Sequence, residues 1–161
     1  MSGAFRRLVT GHDAAGRAVF VSDEILMPQR LPGGDADFAL IWTSAVLPAD
    51  NNDDADGRER PAGLTLHGGS VIRVVDMLPS GASPMHRTDS LDYGIVLSGT
   101  VELELDDGLT TTLGPGDVIV QRGTMHAWRN PDVSVPARIV FVLTEALPRL
   151  VGGVPLPEVQ P

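Results

Sequence analysis

Two stretches dominate the chain: GASPMHRTDSLD at residues 81–92 and GDVIVQRGTMH at residues 116–126. Each opens on a glycine and ends on a side chain that can ligate a metal or carry a proton. The first contains His86 and Asp92, and the second contains His126. A carboxylate that interrupts an apolar run is costly unless it is paired or bound, so Asp92 indicates a functional site.

The sequence around these stretches is patterned as short strands. Apolar residues at 101, 103 and 105 alternate with glutamates at 102 and 104, the period of two that is typical of a half-buried strand. DDG at 106–108 and GPG at 114–116 predict turns. Regular short strands predict an all-β sandwich or barrel. The predicted strands are 38–46, 71–77, 93–97, 100–105, 110–113, 117–121, 126–130 and 137–143.

The 161 residues fit one domain, which we divide into three parts. Residues 1–69 are expected to supply N-terminal strands and an acidic loop that pack on a barrel formed by residues 70–146. Residues 147–161 form a proline-rich tail, expected to be loose at its end. The loop at 48–63 lacks the glutamate of a calcium loop, so we interpret it as a mobile surface loop, with a lid as the alternative.

Together the two stretches resemble the paired motifs of the cupin superfamily, over about residues 70–143. The resemblance implies a single-domain, RmlC-like jelly roll, also called a double-stranded β-helix. Thr88 stands where the family has its second histidine, Asp92 is shorter than the family's glutamate, and Arg122 lies near the proline position. The residues that match the two motifs are His86, Asp92, Gly99, Gly116, Asp117, Gly123, His126 and Asn130.

His86, Asp92 and His126 are the predicted catalytic and metal-ligating residues. Alternate residues of a small barrel point inward, so neighbouring strands can aim these three side chains at one point. Two histidines and one carboxylate are typical of non-haem Fe(II), and the set also suits Zn, with Mn and Ni left open. A metal-free alternative uses the same residues as an acid–base set.

Three further side chains are predicted to line a substrate pocket: Thr88, Trp128 and Trp42. Thr88 could hydrogen-bond a bound water. For Trp128 a place in the core is an equally good interpretation, because small barrels fill with their own side chains. Arg73 and Arg138 lie in predicted strands, where each could bind an anionic substrate or form a buried ion pair.

Composition excludes several classes of chemistry. The chain has no cysteine and its 12 basic residues are all arginine, which rules out disulfides, thiolate ligands and lysine Schiff bases. A net charge of −9 argues against a nucleic-acid partner. We find no run of 18 apolar residues and no secretory signal, so we expect a cytoplasmic protein without a membrane partner.

The stretches at 86–94 and 121–130 are also similar to those of single-domain cupins from natural-product pathways. That resemblance implies a metal-dependent enzyme acting on a small organic acid or a polyketide-like substrate, with lyase chemistry such as dehydration or decarboxylation. An Fe(II) dioxygenase and a non-catalytic small-molecule binding cupin are the alternatives. The resemblance further implies a homodimer.

Overall fold

The computed structural model describes residues 3–30 and 34–161, and these residues are mostly β-strand. The two helices within them, η1 and η2, are single 3₁₀ turns, and neither is long and apolar enough to cross a membrane. The elements in chain order are β1 Phe5–His12, β2 Ala18–Leu26, β3 Gln29–Arg30, β4 Ala36–Ser44, η1 Gly57–Glu59, β5 Ser70–Met77, β6 Ser90–Ser98, β7 Val101–Leu105, η2 Asp106–Gly108, β8 Thr110–Leu113, β9 Val118–Arg122, β10 His126–Arg129, β11 Ala137–Glu145, β12 Leu150–Val151 and β13 Val154–Pro155.

Two antiparallel sheets form the body of the jelly roll. The larger has the order β3-β4-β5-β11-β6-β9, and the smaller has the order β10-β7-β8. The buried core takes side chains from both, with Val75, Val96 and Ile139 from the larger sheet and Leu103 and Trp128 from the smaller. The core therefore lies between the sheets, and the all-β barrel predicted from the strand pattern is confirmed.

The strand pattern located all eight predicted strands, with their ends displaced by up to three residues. β6 begins at Ser90, before its apolar run, because it pairs along the whole length of β11. The hairpin formed by β1 and β2 was missed. Its strands lack regular alternation, and Phe20 and Val21 are exposed, so the sequence there carries no clear period of two.

The loop at 48–63, expected to be a mobile surface loop, is contacted by side chains from outside it and within it; its mobility and the alternative of a lid stay predictions. Arg7, whose side chain is 1% exposed, reaches from β1 to pair with Asp56 at the start of η1. Arg60 pairs with Asp53 and donates to the carbonyl oxygen of Thr43. One ion pair and one hydrogen bond join this loop to β1 and β4, and hydropathy alone could not reveal them.

The C-terminal tail is also more ordered than expected. β12 and β13 form a small hairpin, and beyond it the backbone of Val159 exchanges two hydrogen bonds of 2.9 Å with Arg87. The tail therefore lies against the residue that follows His86. At the other end, β4 pairs with β5, so the larger sheet spans the division predicted between residues 69 and 70. The three-part division itself stays a prediction.

Asn130, the last residue of the second motif, connects backbone segments through its buried side chain. It is 2% exposed, and its amide donates to the carbonyl oxygens of Met77, at 3.2 Å, and Val135, at 2.8 Å. Its Oδ1 accepts from the backbone N–H of Asp132 at 3.0 Å. One side chain thus joins the end of β5 to the loop between β10 and β11.

Replacing Asn130 with alanine should lower the free energy of unfolding by about 2–4 kcal/mol, because it leaves buried backbone groups without partners. Val133→Ala is the matched control, since Val133 lies in the same loop and is 81% exposed. Urea unfolding followed by circular dichroism measures both variants. Equal stability of the two would show that Asn130 does not brace this loop.

Candidate functional site

The β-sheet register brings the site together. Asp92 on β6 lies directly opposite Gln121 on β9, and both side chains are buried, at 3% and 6% exposure. His126 begins β10. His86 lies in the turn before β6, where its backbone exchanges hydrogen bonds of 2.8 and 2.9 Å with that of His126. Strand pairing therefore places all four residues side by side.

The side chains of the three predicted residues meet around the amide of Gln121. Its Nε2 lies 2.9 Å from Oδ2 of Asp92 and 3.0 Å from Nε2 of His126. The ring of His86 is 4.1 Å from that of His126, centroid to centroid, at an angle of 53°. His86 is half-buried, whereas Asp92 and His126 are each 3% exposed, so the cluster is most open at His86.

Backbone carbonyls determine which nitrogen of each imidazole carries the proton. Nδ1 of His126 lies 2.9 Å from the oxygen of Thr124, and Nδ1 of His86 lies 2.9 Å from the oxygen of Pro84. A carbonyl only accepts, so each Nδ1 is a donor and each neutral ring keeps a lone pair on Nε2. At His126 this lone pair accepts a hydrogen from the Gln121 amide.

Gln121 is fixed in orientation because both groups that face its Nε2 are acceptors. A flipped amide would place its oxygen against a carboxylate and an imidazole lone pair. Two buried oxygens then remain without a partner among the described residues, Oε1 of Gln121 and Oδ1 of Asp92. Buried polar atoms without partners are rare in proteins, and such atoms are where a ligand group can bind.

Burial shifts the pKa values of His126 and Asp92 in the directions that favour their uncharged forms. It lowers the pKa of His126 to about 4, so that this imidazole is neutral at physiological pH. It raises the pKa of Asp92 above the ordinary aspartate value, against the opposing effects of Ser90, Gln121, His86 and Arg73. The site therefore combines a neutral imidazole with a carboxyl group of increased basicity.

The arrangement does not fit a metal ion as it stands. A hydrogen-bond donor, the Gln121 amide, lies between Asp92 and His126, where a shared ion would have to bind. Across residues 3–30 and 34–161, no three His, Asp or Glu side chains are placed to hold an ion. Metal ligation by His86, Asp92 and His126 stays a prediction.

The three residues predicted to line a pocket, Thr88, Trp128 and Trp42, lie in three different parts of the structure. Thr88 is buried beside the cluster, with its hydroxyl 2.8 Å from that of Ser90. Trp128 is in the core, edge-on to Phe141 at 5.4 Å.

Trp42 lies elsewhere, contrary to the expectation that it lines the pocket. It packs below the guanidinium of Arg7, which is 5.5 Å from the ring centroid, and against Gly57 of η1. An irregularity in β4 between residues 40 and 42 shifts the register at this point. No feature of the residue pattern in this strand indicates that shift.

The two strand arginines differ in their partners. Arg138 forms an ion pair with Asp76 across β11 and β5, with N–O distances of 2.6 and 2.7 Å. Arg73 forms no ion pair with a carboxylate in the part of the chain described. Each arginine was expected either to bind an anionic substrate or to form a buried ion pair, and Arg138 forms the ion pair.

Gln121 was missed by the sequence analysis, although a signal for it existed. Counting back from Gly123, Gln121 rather than Arg122 stands at the position of the proline in the second motif. It also alternates with the exposed Val118 and Val120, which predicts an inward side chain. A polar residue at an inward strand position is the pattern that also singled out Asp92.

Comparison with known proteins agrees with the fold and the motifs. The model of the cupin domain family matches residues 73–143. The cupin-domain-containing oxidoreductase virC of Hypocrea virens is 36% identical over 158 residues, covering 94% of this chain and 81% of the relative. The chain belongs to the cupin family. Phomopsin biosynthesis cluster protein C' of Diaporthe leptostromiformis is 43% identical over 160 residues, covering 92% of this chain and 85% of the relative.

Solved cupin structures resemble the chain more distantly. The polyketide cyclase RemF from Streptomyces resistomycificus aligns with a TM-score of 0.50 and 25% identity, covering 72% of this chain and 70% of RemF. A double-stranded β-helix protein from Klebsiella pneumoniae aligns with a TM-score of 0.52 at 19% identity, covering 73% of this chain and 83% of that protein. The second likeness concerns the fold alone.

The depressed pKa of His126 predicts a loss of stability in acid. The unfolded chain takes up a proton near pH 6.5 and the folded chain only near pH 4, so stability should decline as the pH falls between these values. The full effect is about 3 kcal/mol.

Urea unfolding at a series of pH values measures this decline, with His126→Gln and the exposed His12→Gln as a matched pair. The decline should be smaller in His126→Gln by the contribution of His126, and unchanged in His12→Gln. If His126→Gln follows the wild-type curve throughout, His126 is not held neutral by the fold.

Proposed function

We propose that this cupin is an enzyme that transfers a proton on a small organic acid or polyketide-like substrate, in lyase chemistry such as dehydration or decarboxylation. One observation carries the proposal. Asp92 is a buried carboxyl group whose pKa is raised by burial, against the opposing effect of the Ser90 hydroxyl. Gln121 donates to its Oδ2, and Oδ1 has no partner of good hydrogen-bond geometry among the described residues. Such a group has both the basicity and the free lone pairs that a general base needs.

The residues divide the chemistry between them. Because Gln121 occupies Oδ2, Oδ1 of Asp92 is the oxygen left to exchange a proton with a substrate. His86 has Nε2 free and is the most exposed member, so it is placed to contact a substrate first. The neutral His126 receives the second Gln121 hydrogen bond and keeps the amide oriented.

A dehydration can be balanced with these groups alone. Asp92 takes the proton from the carbon next to a carbonyl, and the C–H electron pair becomes the new double bond as the C–O bond to the neighbouring hydroxyl breaks. The same proton passes from Asp92 to the departing oxygen, which leaves as water. Asp92 then returns to its starting state, so no oxidant or reductant is consumed.

The relatives support the substrate class. Two similar proteins are named for the phomopsin biosynthesis cluster and one for the oryzines cluster, and RemF is a polyketide cyclase. The homodimer implied by the resemblance stays a prediction, and so does the cytoplasmic location expected from the sequence.

A metal-dependent oxidoreductase, such as an Fe(II) dioxygenase, is the second candidate. Several relatives are named cupin-domain-containing oxidoreductases, and a backbone carbonyl lies within hydrogen-bond distance of Nδ1 in both imidazoles, which leaves Nε2 of each as the nitrogen able to ligate an ion. If the Gln121 side chain moved aside, His86, Asp92 and His126 would be the ligands. A bound ion would then supply Lewis-acid or oxygen chemistry.

Asp92→Asn should reduce turnover by about a hundredfold or more, because asparagine keeps the shape but cannot exchange the proton. A panel of 3-hydroxy acids, 3-keto acids and their thioesters is assayed with wild type and variant. Tyr93→Phe is the control, since Tyr93 is adjacent but faces outward and is 41% exposed.

Burial of a charged Asp92 opposes folding above the ordinary aspartate pKa, so Asp92→Asn should be at least as stable as wild type at neutral pH. Full activity in the variant, or turnover by neither protein across the panel, would refute the acid–base role. The second outcome would favour the non-catalytic binding cupin.

Metal content separates the two enzymatic candidates. Wild-type protein purified without chelator should contain well under one Fe, Zn, Mn or Ni per chain, because Gln121 fills the centre of the cluster. Gln121→Glu replaces that donor with a second carboxylate and should gain metal, while Gln121→Met should not. Elemental analysis gives the stoichiometry, and one ion per wild-type chain would support the metal-dependent candidate.

A further inference from the structure

Arg73 is an arginine inside the barrel. On β5 it shares a strand face with Val75 and Met77, which are both part of the buried core. Its register partner on β11 is Phe141, which packs against the same core. The side chain therefore points between the sheets, toward the interior that also holds Asp92.

The hydrogen bonds of Arg73 leave it incompletely partnered. One terminal nitrogen donates to the carbonyl oxygens of Gly63 and Leu64, the latter at 2.7 Å. Its Nε is buried, and none of the residues that the structure describes supplies an acceptor for it. Arg7 and Arg138, whose side chains are also largely buried, both contact carboxylates.

The charge of Arg73 is not neutralised by contact. Burial lowers its pKa to about 10, while Asp92 acts to raise it, so the guanidinium remains charged at neutral pH. A buried cation without an ion-pair partner is costly. A chain of net charge −9 also repels anions, so an anionic substrate needs a local cation to enter this interior.

We propose that Arg73 is the anion anchor of the site, which binds a carboxylate of the substrate through its free Nε–H. The inference rests on the proposed function, in which Asp92 exchanges a proton with the reacting end of the substrate. It restricts the substrate class to carboxylic acids. The carbonyls of Gly63 and Leu64 hold the other edge of the guanidinium, so the donor is oriented before the substrate arrives.

The experiment uses acetate as the probe and acetamide as its neutral isostere. Arginine Nε–H resonances of the full chain are followed by NMR during titration, with that of Arg73 identified by its loss in Arg73→Lys. Acetate should shift the Arg73 signal saturably, and acetamide should not. Binding should be at least about tenfold tighter for acetate, as expected for a charge-assisted hydrogen bond.

Two variants test whether the effect belongs to this arginine. Because the Arg73 variants lack the Nε–H signal, acetate binding to them is followed by backbone amide shifts. Arg73→Gln should lose acetate binding at least about tenfold, and Arg122→Gln should retain it, since Arg122 has the same charge but lies on the exposed face of β9. If Arg73→Gln does not fold, Arg73→Lys tests the same point, because it keeps the charge but lacks the Nε–H. Undiminished acetate binding in both Arg73 variants would overturn the proposal.

Asp92→Asn separates this inference from the proposed function. Acetate should still bind to that variant, and more tightly, because the neighbouring carboxylate charge is gone. If acetate shifts Arg73 but Asp92→Asn keeps full turnover, the anchor stands and the acid–base role fails. If acetate and acetamide act alike on the wild-type protein, or neither shifts Arg73, the anchor is refuted whatever the fate of the enzyme assay.

Discussion

The hydrogen bonds of one buried amide organise this site. Gln121 has two N–H groups on one nitrogen, and the fold presents two acceptors to them, a carboxylate oxygen of Asp92 and the Nε2 lone pair of His126. Each acceptor depends on a strand register. β6 and β9 place Asp92 opposite Gln121, and the backbone bridge between His86 and His126 brings β10 to the same point. A shift of one residue in either register would turn these side chains to the outer face.

The cluster around Gln121 differs from the cupin family pattern at the residues between its histidines and its carboxylate. The paired motifs of the cupin family are present, but Thr88 stands in place of a second histidine, and the amide of Gln121 lies between Asp92 and His126. An imidazole that accepts from an amide stays neutral in a buried position, and its carboxylate neighbour is left with one oxygen unpartnered. This combination of groups is the basis for the proton transfer that we propose, with the charge of Arg73 proposed to attract an anionic substrate.

The sequence predicts most of the fold and about half of the site. Strands with strict alternation, such as Val101–Leu105, are found because one face is buried and the other is wet. The hairpin of β1 and β2 is not found, because its apolar side chains are largely exposed. His86, Asp92 and His126 follow from motif spacing, but their common partner Gln121 sits at a position where the family has proline. The positions of Trp42 and Arg7 depend on a register shift and on long-range ion pairs, which leave no periodic trace.

The account is tested most directly by long-range ¹H–¹⁵N NMR of the imidazole nitrogens, which reports the tautomer and charge of each histidine ring in the intact chain. It predicts that His126 carries its proton on Nδ1, with Nε2 as a hydrogen-bonded acceptor, and stays neutral down to about pH 5. A His126 ring that is protonated on Nε2, or that becomes charged near its ordinary pKa of about 6.5, would contradict it, because Gln121 could then not be donating to that nitrogen.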